Sequence, residues 1–128
     1  LVAKRGTPVR SLPLEHQDGD AEILYAGPLF GTTVVTRHTV REGGRLRDYV
    51  VLHGHLDAIA PGATRGATVR EGDPLGFVGD TGSEGIVHLH LEARRVRDGV
   101  DPRSLQPGQI ANNARTVAID PRNVLPLR

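Results

Sequence analysis

Two histidine pairs, His53-Gly54-His55 and His88-Leu89-His90, hold four of the chain's six histidines. Successive side chains on a β-strand point to opposite faces. Each pair is therefore expected to put both imidazoles on one face and turn the middle residue away. The turn residues Gly79-Asp80-Thr81-Gly82 before the second pair let the two strands lie side by side, so that several imidazoles converge on one patch. Neutral imidazole is the commonest metal ligand and a general base near neutral pH. The pattern points to zinc chemistry.

Composition narrows what else can contribute. The chain has 128 residues, one domain's worth, and a net charge of +1, so electrostatics alone suggest neither nucleic acid nor a membrane surface as partner. Cysteine is absent, which removes disulfides and thiolate ligands and leaves His, Asp, Glu or water to hold any metal. With two Phe, two Tyr and no Trp, the core must be built from Val, Leu, Ile and Ala. No apolar run approaches the roughly 20 residues of a membrane span.

The elements that must position the histidines read as almost all β. Runs rich in Val, Leu, Ile, Thr and Tyr alternate with Gly, Pro or Asp breaks. Strands are expected at Pro8 to Leu12, Ala21 to Ala26, Thr32 to His38, Asp48 to Leu56, Thr68 to Arg70, Leu75 to Val78 and Val87 to Arg95. Leu1-Val2-Ala3 also reads as strand. Gln17-Asp18-Gly19-Asp20 and Arg41-Glu42-Gly43-Gly44 read as exposed turns, the second tipping a hairpin. No window of helical length carries a 3.6-residue apolar period. The expected class is all-β, an antiparallel sandwich or barrel. Near the C-terminus, Asp101-Pro102-Arg103 is echoed by Asp120-Pro121-Arg122, read either as two similar turns or short-helix caps or as coincidence.

Residues Gly66 to Gly82, running into His88-Leu89-His90-Leu91-Glu92, resemble the lysostaphin-type (LytM-like) zinc peptidases. That family shows a glycine-punctuated hairpin, a His-Leu-His strand, a short turn and Asp-Pro; Asp101-Pro102 takes the last place. His53-Gly54-His55-Leu56 matches the family's Tyr-x-His-Leu, with His53 where Tyr is usual, and Gly6-Thr7-Pro8-Val9 resembles the opening strand. The resemblance covers roughly residues 1–105 and rests on an ordered double motif. It implies a barrel-sandwich hybrid of the duplicated hybrid motif kind over residues 1–105, with residues 106–128 as a C-terminal extension.

The resemblance also implies roles. His90 would be a ligand to Zn2+, and His55 and His88 would flank the reacting water as catalytic residues. Leu89 should face the core. The family's remaining two ligands belong to a His-x-x-x-Asp motif just ahead of the Gly-Thr-Pro-Val strand, and this sequence starts where that motif would have ended. The motif is expected upstream of Leu1; the competing expectation is a metal-free relative. His16 with Asp18 or Asp20 is a weaker substitute, since those residues read as a solvated surface turn.

Other residues carry plainer readings beside functional ones. His53 is expected to pack beside the site, with a binding role open, and His38 to be structural or exposed. Asp57 is a candidate for orienting His55, although a turn carboxylate is the ordinary explanation. Glu92 is a candidate for orienting a ligand or touching substrate, and Thr81 for lining the groove. Arg94, Arg95 and Arg97 read as a solvated strand end. Gly79 and Gly82 read as turn glycines with positive φ.

The leading functional expectation is a zinc endopeptidase cutting peptide bonds in bacterial cell-wall cross-bridges or stem peptides, outside the cytoplasm. Peptidoglycan peptides would be its partner, docked along the groove by backbone hydrogen bonds. The alternative is a non-catalytic domain of the same fold that binds the wall or regulates an amidase. A third reading takes the Gly-Asp-Pro-Leu-Gly hairpin as a barrel-sandwich carrier. The sole lysine, Lys4, is far from that hairpin, which removes a biotinyl carrier and leaves a phosphohistidine module as the remote option.

Overall fold

The computed structural model describes residues 4–125; the strand expected at Leu1-Val2-Ala3 lies outside them. The chain forms β1 (Pro8–Arg10), β2 (Ala21–Leu29), β3 (Gly31–Glu42), β4 (Arg45–Ile59), β5 (Thr68–Val69), β6 (Pro74–Val78), β7 (His90–Val96) and β8 (Thr116–Ile119). Every pairing between them is antiparallel. The only α-helical turn among the described residues is α1 (Pro107–Ile110). The fold is all-β, as the alternation of β-branched runs and turn residues requires.

The long hairpin β3–β4 is the spine. Gly43 and Gly44, both at positive φ, close it, and Glu42 pairs with Arg45 across the turn. β4 then does something a regular strand cannot. Along one edge it stays on β3; along the other its first part, Tyr49 to Gly54, pairs with β7, while its last part, Leu56 to Ile59, pairs with β6. The sheet forks between them, at His55. Bulges shift the register between Leu56 and Ala58 on β4 and between Thr32 and Val34 on β3, and His55 itself has φ +60°.

Apolar side chains fill both faces of the spine. Val35, Val50 and Leu52 pack with Leu24, Val96, Leu105 and Ile110, whereas Tyr49 and Val51 pack with Leu14, Val40, Ala93, Val124 and Leu125. Beyond the fork, Leu56, Leu75, Val78, Val34 and Ile23 form a third cluster, against which Leu89 packs. Two of these clusters thus draw on residues after 105, and β8 adds itself to β7 by pairing Thr116–Ile119 with Ala93–Val96. Asp101 and Asp120 each accept a hydrogen bond from the backbone N–H two residues on, Arg103 (3.0 Å) and Arg122 (2.9 Å), and each caps a 3-10 turn, at Pro102–Ser104 and Pro121–Asn123. The Asp-Pro-Arg echo is a repeated cap.

Three expectations change. β2 and β3 run to Leu29 and from Gly31, so the break expected over five residues is the single corner Phe30. β7 begins at His90, not Val87, because residues 79–89 leave the sheet as a loop that returns through one bond, His88 N–H to Gly79 O (3.3 Å). Gly82 has the positive φ expected of it (+76°), but Gly79 does not. A Cβ at Gly79 would strike the Asp57 carboxylate, so close approach explains that glycine.

Candidate active site

The fork brings three histidines together. The His55 ring lies 4.5 Å from that of His88 and 5.6 Å from that of His90, centroid to centroid, the second pair edge to face. The route differs from simple alternation. In the β4–β7 register His90 stands opposite Gly54, Glu92 opposite Leu52 and Arg94 opposite Val50, so these residues share a face. His53 stands opposite Leu91 on the other face, where strict alternation would also put His55. The left-handed backbone at His55 breaks the alternation and turns its ring toward His88 and His90. The pair His53-Gly54-His55 therefore does not present both imidazoles to one face.

Gly54 is where the site needs no side chain. A Cβ there would lie 3.0 Å from Phe30 Cβ and 3.2 Å from His90 Cβ. Phe30 uses that space: its ring stacks on His90 at 4.5 Å, with 23° between planes. Its backbone carbonyl accepts from His55 N–H (2.8 Å), so the β2–β3 corner holds two of the three histidines. Neither role was visible in the sequence, where Phe30 sits in what reads as a break.

Hydrogen bonds to groups that can only accept fix which nitrogen each ring offers. His55 Nδ1–H donates to Thr81 O (2.7 Å) and His88 Nδ1–H donates to Ile86 O (3.1 Å), so both present Nε2. His90 is the reverse: Nε2 meets the Glu92 carboxylate at 3.2 Å and Nδ1 carries the lone pair. Thr81 acts through its backbone toward His55, while its hydroxyl donates to Leu56 O (2.6 Å) and accepts from Thr32 N–H (2.9 Å). The loop is thereby clamped to both spine strands.

Asp57 is occupied elsewhere. Arg5 binds Asp57 and Asp80, each at 2.9 Å, tying the β1 approach to the loop after β6; the partner of His55 is the Thr81 carbonyl instead. Arg5 and these hydrogen bonds hold Asp80 below the usual carboxylate range, the bond from Gly85 N–H contributing most. Arg94 is not solvated: it is 5 % exposed and fully engaged, whereas Arg97 at the strand end is exposed.

The two remaining spine histidines are structural. His53 is buried and its Nδ1–H donates to Val34 O (3.0 Å); loss of hydration pushes its pKa down to about 4. His38 is held between Gln17 Oε1 and Thr36 Oγ1, both at 2.7 Å, and burial pushes it down to about 3. Both stay neutral and line a cavity of about 360 Å³ with Val9, Leu89 and Leu91. His16 is exposed, and its carbonyl bonds Arg41 N–H at the far end of β3. Asp18 faces Arg41 and Asp20 faces Arg70, so that turn is remote from the three-histidine cluster.

A family model described as peptidase family M23 matches residues 1–102. The chain belongs to peptidase family M23. Curated relatives include DD-carboxypeptidase/endopeptidase Mpg of Neisseria meningitidis, 33 % identical over 81 % of this chain and 21 % of that protein. Cell division protein DipM of Caulobacter vibrioides is 34 % identical over 80 % of this chain and 15 % of that protein. The chain thus spans about a fifth or less of the length of these relatives. Among solved structures, the catalytic domain of lysostaphin from Staphylococcus simulans superposes with a TM-score of 0.55 at 18 % identity, covering 95 % of this chain and 72 % of that one. The M23 assignment and the fold agree with the His-Leu-His and His-Leu motifs.

Peptidases of family M23 are generally zinc-dependent. Among the described residues, no three His, Asp or Glu side chains gather so as to hold a metal ion. His90 offers Nδ1, but a catalytic zinc takes three protein ligands. The described residues alone do not fit a zinc site.

Proposed function

We propose that this M23 domain is a zinc-dependent endopeptidase acting on peptide bonds of bacterial peptidoglycan, outside the cytoplasm. The observation that carries the reading is the cluster itself: three half-buried imidazoles from β4, the loop and β7, each with one nitrogen committed and the other available. On this reading His90 is one metal donor, and two more must come from outside residues 4–125. Zinc would supply Lewis acidity, lowering the pKa of water to about 7 and polarising the scissile carbonyl.

The chain's own residues do the rest. His55, fixed by the Thr81 carbonyl, offers Nε2 to take a proton from the attacking water. On the same reading His88, whose ring lies 4.5 Å from that of His55, would hydrogen-bond the oxyanion through a protonated Nε2 as the carbonyl becomes tetrahedral, and the proton taken by His55 would go on to the leaving amine. Phe30 and Gly54 keep the His90 ring flat against the fork.

That no three His, Asp or Glu side chains gather among the described residues favours a second reading, a non-catalytic wall-binding or regulatory domain of the same fold. Digestion of purified peptidoglycan separates the two. A form extended upstream, given zinc, is expected to release new amino termini, and His55→Ala and His88→Ala should each lower the rate by about 10² or more. Wall binding without cleavage by the extended form would establish the second reading instead.

A further inference from the structure

The family match ends at residue 102, yet residues beyond it reach the histidine cluster through one side chain. Arg94 on β7 is buried at 5 % exposure, and all of its nitrogens are used. Nε donates to Thr116 Oγ1 (2.6 Å), Nη2 donates to Asn113 Oδ1 and to Thr116 O (3.2 Å), and Nη1 donates to Glu92 Oε2 (2.7 Å). The other oxygen of Glu92 meets His90 Nε2 at 3.2 Å. Thr116 is itself anchored: its hydroxyl donates to Ile110 O (2.6 Å), and Ile110 is fully buried.

These contacts form one chain of bonds from the segment carrying α1 and β8 to a single imidazole. We propose that the C-terminal segment is part of the site's machinery, with Asn113 and Thr116 holding Arg94 as a positioning residue that sets Glu92 on His90 and so commits His90 to offering Nδ1. Geometry favours this over a plain structural ion pair. A carboxylate two residues along a strand from its histidine shares that histidine's face but has several rotamers. Arg94, also two residues on, is the group that selects the rotamer reaching Nε2. Its planar guanidinium can serve Glu92 and the C-terminal segment at once, which a lysine ammonium on a flexible stem cannot. Hydrogen bonds that orient a ligating histidine are worth about 10- to 100-fold in metal affinity or activity where they have been removed.

The inference rests on His90 belonging to the site, but its test needs neither metal nor substrate. Imidazole 15N shifts, recorded on the metal-free chain above the ordinary histidine pKa, report which ring nitrogen carries the proton. The native His90 should show protonated Nε2 and bare Nδ1, favoured by about tenfold or more through the charged acceptor. Arg94→Lys and Asn113→Ala should each move His90 toward tautomer averaging while leaving His55 and His88, which are locked by carbonyls, where they were. Asn113 is exposed, so its variant keeps the fold if Arg94→Lys does not. Unmoved His90 shifts in Asn113→Ala, or equal movement of all three histidines, would overturn the proposal. Failure of the peptidase reading would show in the digestion assay and would leave these shifts unaffected.

Discussion

At the scale of single residues, the site is a set of imidazoles whose free nitrogens are chosen by what holds the others. The residue types and spacing of His55, His88 and His90 singled them out in the sequence, although His88 stands in the loop before β7 and His55 leaves the face that strand alternation would give it. Their partners were not. A backbone carbonyl leaves no trace in residue type, so Thr81 O could not be foreseen as the group orienting His55; the sequence offered Asp57 for that role, beside its more ordinary reading as a turn carboxylate. Nor does a sequence announce a left-handed residue that is not glycine, which is how His55 leaves the face of His53. Gly31 tests this layer. It has φ +62°, and a Cβ there would collide with the Thr81 carbonyl. Gly31→Ala should cost about 1–2 kcal/mol for the backbone alone and, by displacing Thr81 O, lower activity about 10- to 100-fold. A variant with native melting and native turnover would show that the carbonyl does not position His55.

At the scale of elements, the decisive device is the fork in the sheet. A strand as long as β4 can satisfy two successive partners on one edge only if it bends, and the bulge at His55 is that bend. The positions of most strands along the chain and the Gly43-Gly44 hairpin followed from pattern, since period-two alternation and turn residues are local signals. The fork is long-range and left no signal. The C-terminal segment was hidden for another reason: its apolar residues come in short groups, Ile110-Ala111, Val117-Ala118-Ile119 and Val124-Leu125, broken by Asn, Arg, Asp and Pro, so no long periodic run marks them. Packing reveals what spacing does not. Ile110→Ala should therefore destabilise the whole domain by about 2–5 kcal/mol, the usual range for a fully buried side chain. Denaturant unfolding followed through both the sheet and a probe near β8 should give one coincident transition. Early, separate release of the segment would contradict its place in the core.

At the scale of the whole molecule, two buried neutral histidines give the fold a pH dependence. The pKa values of His38 and His53 fall to about 3 and about 4, below the ordinary value near 6.5 they regain on unfolding. Their contribution is fully present above about pH 6.5 and is lost as pH falls, because the unfolded chain takes up protons the native one refuses. Stability should decline between about pH 6 and pH 4 by up to about 1.4 kcal/mol per pH unit for each histidine. Urea midpoints across that range would read it, and His38→Gln should remove about half of the slope; a flat profile would mean that neither ring is held neutral. The proposal that His90 at this fork is one of three protein donors to a zinc ion has its sharpest test in metal content. Zinc should be measured in the chain as given, in a form extended upstream by about thirty residues, and in the extended His90→Ala variant. Near-stoichiometric zinc is expected in the extended form, little in the short one, and loss with His90→Ala. Zinc in neither form, or zinc indifferent to His90, would contradict it.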